Sequence, residues 1–201
     1  VAVRGGALAP FLFIWRDFMN YRELKEELVD LGFEEDSIMT DEEYIRKFAS
    51  ASNRAIDYIN TTVRPYVKCV TLKSPGVYDL AEEASDFVDF FEKPKFTENG
   101  ERKTLGRYFI EGKTKIVLPV DLGDIDVYYK AYPTRLAKDT EDDFEIELDN
   151  LVLPLIAPLA AYFLWLDDDE RKATMYYNIY DSKRQEIIMN EEQHMGAPRS
   201  L

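Results

Sequence analysis

The feature that most constrains the fold is an almost uninterrupted apolar stretch near the C-terminus, residues 151–166. Apolar residues recur there at helical spacing, and the intervening positions are apolar too, so the stretch predicts a helix that is apolar nearly all round. Such a helix lies either at the centre of its own fold or between neighbouring subunits. The run is shorter than the about 20 residues of a membrane span, so we expect no membrane insertion. Pro154 suits a first turn, whereas Pro158 is expected to kink or restart the helix.

A second helix is predicted after the four acidic residues 167–170. Carboxylates at this place cap free backbone N–H groups and face the positive end of the helix dipole. We interpret the two helices as an αα-hairpin on which the rest of the chain packs. The side chains that we expect in its core or in subunit contacts are those of Leu155, Leu159, Phe163, Trp165, Tyr176 and Tyr180.

The N-terminal part predicts two further helices. Residues 20–31 carry leucines at helical spacing and end at Gly32, a residue typical of helix C-termini. The next helix is predicted to begin at a capping box formed by Thr40 and Glu43 and to end before Pro65.

Residues 66–133 change to the two-residue period of β-strands. Residues 74–76, Ser-Pro-Gly, indicate a turn, and Asn99 with Gly100 is the pair that type I′ hairpin turns prefer. The last strand, residues 125–132, alternates strictly. The apolar face is Ile125, Val127, Tyr129 and Ala131. We therefore predict an antiparallel sheet of five or six strands inserted into a helical bundle, which makes the fold α+β.

The ends of the chain differ from its middle. Within residues 1–18, residues 7–15 are apolar and broken by Pro10. We expect residues 1–18 to be a loosely ordered or artefactual leader, with Met19 as the natural start; a docking peptide is the alternative. Residues 19–190 are predicted to form a single domain. Residues 191–201 have no apolar period and are expected to form a flexible tail.

The chain is acidic, with 39 Asp and Glu residues against 25 Lys and Arg residues and a formal net charge of -14. Affinity for nucleic acid comes largely from basic side chains, so a protein that grips DNA is not indicated. Cys69 is the only cysteine and His194 the only histidine. We therefore expect no disulfide framework, metal site or cofactor, and no Ser-His-Asp triad within one chain.

Asp121, Asp124 and Asp126 are the best candidates for catalysis. Asp124 and Asp126 are two apart on a predicted strand, so their carboxylates share a face, as a two-metal phosphoryl-transfer site requires. The simpler interpretation makes Asp121 and Asp124 turn residues around Gly123 and places Asp126 on a solvated face. We favour the simpler one and expect no enzyme.

The order of segments resembles that of the head–tail connector (adaptor, neck) proteins of tailed bacteriophages. The most specific part is residues 151–180, where an Ala- and Leu-rich helix leads into an acidic turn and then into a helix bearing Lys172-Ala173 and Tyr176-Tyr177. The resemblance covers roughly residues 40–190, as a pattern rather than as an invariant motif.

The resemblance implies a structural virion protein made in the bacterial host cytoplasm and located in the neck between capsid and tail. It implies a ring, commonly twelvefold, that binds the portal and a tail or stopper protein while DNA passes through without specific binding. It also implies a C-terminal segment that reaches the portal, for which Met195, Pro198 and Leu201 are the candidate contacts. A tail-completion or other neck protein of the same architecture is the alternative.

Overall fold

The computed structural model describes residues 18–196, which form a helical bundle and a six-stranded antiparallel sheet. The predicted α+β class, with the sheet inserted between helical parts, is confirmed. Residues 1–17 of the predicted leader, and Pro198 and Leu201 of the predicted tail, lie outside the described residues. No helix in the described part is long and apolar enough to cross a membrane.

Three N-terminal helices precede the sheet: α1 (Tyr21–Asp30), α2 (Glu35–Met39) and α3 (Glu42–Thr62). A capping box holds the start of α1, since the Asn20 side chain accepts from the Glu23 N–H at 2.8 Å and the Glu23 carboxylate accepts from the Asn20 N–H at 2.9 Å. The predicted cap of α3 is wrong by one residue. Asp41 is the N-cap residue, and its side chain accepts from the N–H groups of Glu43 and Tyr44 at 2.9 and 3.1 Å, where a carboxylate also meets the positive end of the helix dipole.

The apolar stretch folds as a 3-10 turn (Leu153–Leu155) followed by α5 (Ile156–Trp165), a shorter helix than predicted. Pro154 lies in the 3-10 turn, and Pro158 is the third residue of α5. The first N–H groups of a helix have no intrahelical partner, so Pro158 removes no hydrogen bond there. The expected break therefore takes the form of a helix that starts just before Pro158.

The last helix, α6 (Glu170–Gly196), extends six residues beyond the end predicted at Asn190. Asp169 caps it by accepting from the N–H groups of Arg171 and Lys172 at 3.0 and 3.2 Å, which confirms the capping role of the acidic turn. The added residues contain no proline or glycine before Gly196 and include good helix formers. The backbone of residues 191–196 is thus helical.

The sheet is built on two long strands, β1 (Val67–Asp79) and β6 (Lys115–Ala131), which pair antiparallel. A short helix, α4 (Leu80–Glu83), follows β1. The shorter strands β2 (Phe87–Phe90), β3 (Lys95–Glu98) and β5 (Phe109–Glu111) all pair with β6, and β4 (Glu101–Thr104) pairs with β3. The sheet order along its main path is β1-β6-β3-β4.

Two predicted turns in this region are wrong. Residues 74–76 lie within β1, where the register shifts between Ser74 and Gly76. Asp121 and Asp124 lie within β6 rather than in a turn around Gly123. A β-bulge in a long strand pair accommodates proline and glycine just as a turn does, because the bulge also leaves residues unpaired and bends the strand. Gly123 has a φ of 76°, the left-handed conformation that glycine adopts without steric cost.

Buried side chains form two clusters, one among the helices and one on the sheet. Tyr66 packs against both. The insertion leaves and re-enters the bundle at adjacent points, because the Ala131 N–H donates to the Tyr66 carbonyl at 2.9 Å. Asn60 of α3 joins them further: its side chain donates to the Ala131 carbonyl at 3.2 Å and accepts from the Tyr66 N–H at 2.6 Å.

Candidate interaction surfaces

The hairpin of α5 and α6 contains the six side chains predicted to pack in a core or between subunits. Leu155, Leu159, Tyr176 and Tyr180 are buried within the chain, where α5 packs against α1, α3 and α6. Phe163 and Trp165 are only half-buried. The first half of α5 is therefore a core element, and its second half reaches the surface.

Cationic groups cover the two half-buried rings at this end of α5. The Arg54 guanidinium lies 4.3 Å from the centre of the Phe163 ring, and the Lys172 ammonium lies 3.7 Å from a ring centre of Trp165. Such contacts shield aromatic surface while keeping the charge near solvent.

Four large apolar side chains of α6 are exposed, namely Met175, Tyr177, Ile188 and Met189. Among residues 170–190 of α6, for which burial is described, Ile187 is the most C-terminal buried residue. Beyond it, residues 188–196 continue for about 13 Å at 1.5 Å per residue. The backbone of Met195, a predicted portal contact, lies in this final part of the helix.

A charged cluster joins the sheet to the segment that leads into α5. The Lys68 ammonium of β1 contacts Asp86 at 2.8 Å and Glu147 at 3.1 Å. The Tyr129 hydroxyl of β6 donates to Asp86 at 3.1 Å. Thr134 donates to Glu147 from its backbone N–H at 2.8 Å and from its hydroxyl at 2.7 Å. Each carboxylate thus accepts from two different residues and fixes the orientation of the connection relative to the sheet.

The cluster shifts the pKa values of its members. Burial alone raises the pKa of Asp86 and of Glu147, but the hydrogen bonds from Lys68, Tyr129 and Thr134 outweigh it and hold both values below the ordinary range. Burial lowers the pKa of Lys68, yet the hydrogen bonds to the two carboxylates place it above its ordinary value. Burial and the hydrogen bond to Asp86 raise the pKa of Tyr129 to about 12.

This cluster predicts a pH-dependent stability. Asp86 and Glu147 have lower pKa values in the folded chain than in the unfolded one, so they stabilise the fold above the unfolded values of about 4 and lose this effect as the pH falls through the folded values. Lys68→Met is expected to lower the free energy of unfolding at pH 7 by about 1 kcal/mol, since the cluster is partly solvated. Urea unfolding between pH 3 and pH 7 measures both effects.

The difference between wild type and Lys68→Met should shrink as the pH falls below about 4, where the carboxylates become protonated. Lys113→Met, in an exposed hairpin turn of the sheet, is the matched control and should show no such trend. A difference that stays constant across the whole range would show that Lys68 acts through its packing alone.

Two of the three aspartates considered for catalysis pair with side chains of neighbouring strands. Asp126 accepts from Thr71 at 2.9 Å and from Arg102 at 2.6 Å, and Asp124 pairs with Lys73 at 2.5 Å. Asp121 is exposed in the stretch of β6 between Leu118 and Gly123, which the register shift leaves unpaired with β1. Among residues 18–196 no group of three His, Cys, Asp or Glu side chains is placed to hold a metal ion. Cross-strand pairing therefore accounts for Asp124 and Asp126.

Comparison with known proteins gives one family. A family model described as "SU10 adaptor protein" matches residues 19–200, which include both the helical bundle and the sheet. A search of curated proteins gave no match.

Proposed function

Because the chain belongs to the SU10 adaptor protein family of bacteriophages, we propose that it forms a ring between portal and tail and continues the DNA channel from head to tail. In this proposal it is made in the bacterial cytoplasm and is then located in the neck of the virion. Its role is structural and needs no catalysis or cofactor. The family match over residues 19–200 is the observation that carries the proposal.

Two properties of the molecule support a ring around DNA. The exposed apolar side chains along α6 suit a subunit that buries surface against neighbours or partners. The net charge of -14 suits a wall past which DNA slides, because phosphates are repelled rather than held.

The direct test is electron microscopy of purified portal mixed with this protein. Added density with the symmetry of the portal, commonly twelvefold, is the expected result, even if the protein alone is a monomer. Portal alone and isolated tails mixed with the protein are the controls. If the portal stays bare at micromolar concentrations of both proteins while the tails gain density, the protein is a tail-completion protein and not a portal adaptor.

The C-terminal segment is proposed to bind the portal, with Met195, Pro198 and Leu201 as contacts. Deletion of residues 191–201 is expected to weaken portal binding at least tenfold, about 1.4 kcal/mol. The deletion should leave the melting temperature unchanged, because residues 191–201 have no apolar period with which to pack on the domain. Biolayer interferometry on immobilised portal measures the affinity, and thermal unfolding measures the melting temperature.

A chain with residues 191–201 in scrambled order is the matched control, because it keeps length and charge. It should bind as weakly as the deletion variant. If the deletion variant binds the portal with wild-type affinity, the segment does not contribute to the interface.

A further inference from the structure

A basic groove lies between α3 and residues 135–138 in this otherwise acidic molecule. It encloses about 370 Å³. Its lining includes the exposed cationic side chains of Arg46, Arg54, Arg135 and Lys138. Ala49 and Leu136, both buried, also line it.

The walls of the groove are fixed by contacts within the chain. The Asn53 side chain of α3 donates to the Leu136 carbonyl at 2.8 Å and accepts from the Leu136 N–H at 2.9 Å. Arg135 contacts Asp57 of α3 at 2.9 Å. These contacts hold residues 135 and 136 against α3, so the groove is formed before any ligand arrives.

The groove is suited to carboxylates. Arg54 is engaged with the ring of Phe163. Neither Arg46 nor Lys138 makes an ion pair within residues 18–196, so these two cationic groups remain available. A duplex would also meet the repulsion of a chain with net charge -14. A folded acidic segment can instead present a few carboxylates to the groove while its remaining charge stays in solvent, where salt screens it.

Ring formation poses an electrostatic problem that the groove solves. Copies with a charge of -14 repel one another, so their interface needs a local match of opposite charges. The corner between α5 and α6 supplies the other half. Asp167, Asp168 and Glu170 are exposed there, whereas Asp169 is engaged as the cap of α6.

We propose that the acidic corner, residues 167–170 of one copy, lies in the basic groove of the next copy. The contact joins two different surfaces, so each copy can bind the next one in the same way. The copies then form a closed ring if the rotation between neighbours is a whole fraction of a full turn. This inference rests on the proposed function, since it names the surfaces through which the ring subunits meet.

Charge reversal on each side tests the contact. The groove variant is Arg46→Glu with Lys138→Glu, and the corner variant is Asp167→Lys with Glu170→Lys. All four positions are exposed, so both variants should fold, which circular dichroism checks. Each variant alone is expected to self-associate at least tenfold more weakly than wild type in sedimentation velocity. An equimolar mixture should regain association, because the reversed groove then meets the reversed corner.

The matched control is Arg107→Glu with Lys113→Glu, which makes the same change of charge in loops of the sheet, where both residues are exposed. It should associate as wild type does. If the control weakens self-association as much as the groove variant does, the effect comes from net charge and not from the groove. If the wild-type protein binds duplex DNA and the groove variant does not, the groove is a phosphate-binding site instead.

Cross-linking tests the same contact when association is weak. Ser50→Cys and Glu170→Cys are placed together in a Cys69→Ser background, since Cys69 is exposed. Oxidation at high concentration should give a ladder beyond dimers, which either cysteine alone cannot give. Absence of the ladder, when electron microscopy shows a ring on the portal, would overturn this contact and leave the proposed function standing. Absence of any ring would count against the proposed function itself.

Discussion

Leu159→Asp is expected to unfold the helical bundle. Leu159 is 1% exposed and lies in α5, which packs against α1, α3 and α6. A carboxylate there would be buried without a partner, at a cost of several kcal/mol. That cost is comparable with the about 5–15 kcal/mol by which a whole domain is stable. Urea unfolding followed by far-ultraviolet circular dichroism measures the loss.

Met175→Asp is the matched control for this change. Met175 lies on the neighbouring helix α6 and is 48% exposed, so its replacement should change the free energy of unfolding by no more than about 0.5 kcal/mol. Leu159→Ala, which removes volume without adding charge, should fall between the two at about 2–5 kcal/mol. A folded Leu159→Asp protein with an unchanged transition would mean that α5 does not lie in the core.

Val127→Asp is expected to destabilise the sheet by a comparable amount. Val127 is fully buried in β6, the strand with which β1, β2, β3 and β5 all pair. Its loss removes the centre of the sheet cluster and leaves a charge among Ile125, Tyr129 and their neighbours. Because Tyr66 packs against both clusters, we expect the helices to unfold in the same transition. Coincident transitions in near- and far-ultraviolet circular dichroism would show this.

Val77→Asp places the same substitution on the same sheet at a position that is 64% exposed. It should therefore change stability by less than about 0.5 kcal/mol. If Val127→Asp instead gives two separate transitions, the bundle is stable without the sheet.

The helices and the inward faces of the strands follow from local periodicity, which the sequence contains in full. Leu24, Leu28 and Phe48 are buried at the predicted helical spacing, and Val127 and Tyr129 face the sheet core as alternation predicts. Residues 74–76 could not be assigned in this way. Serine, proline and glycine are compatible both with a turn and with an irregular strand, and only the pairing with β6 decides between them.

The interaction surfaces were harder to predict because their members are distant in the chain. Lys68, Asp86 and Glu147 show no shared spacing, since the ammonium of Lys68 meets partners 18 and 79 residues away. The basic groove likewise combines α3 with residues 135–138, and no local pattern marks either half. An opposite charge far along the chain becomes a partner only once the sheet has brought the two segments together.

The close approach of Tyr66 and Ala131 makes the sheet a modular part of the molecule. A single backbone hydrogen bond closes the path by which the chain leaves the bundle and returns, and Asn60 of α3 holds both ends. Because the two ends already lie side by side, the intervening segment can lengthen or shorten while the helices keep their packing, at a loop-closure cost that grows only slowly with length. The architecture thus separates the helical framework from the sheet, whose size and outer surface can change while the framework is kept.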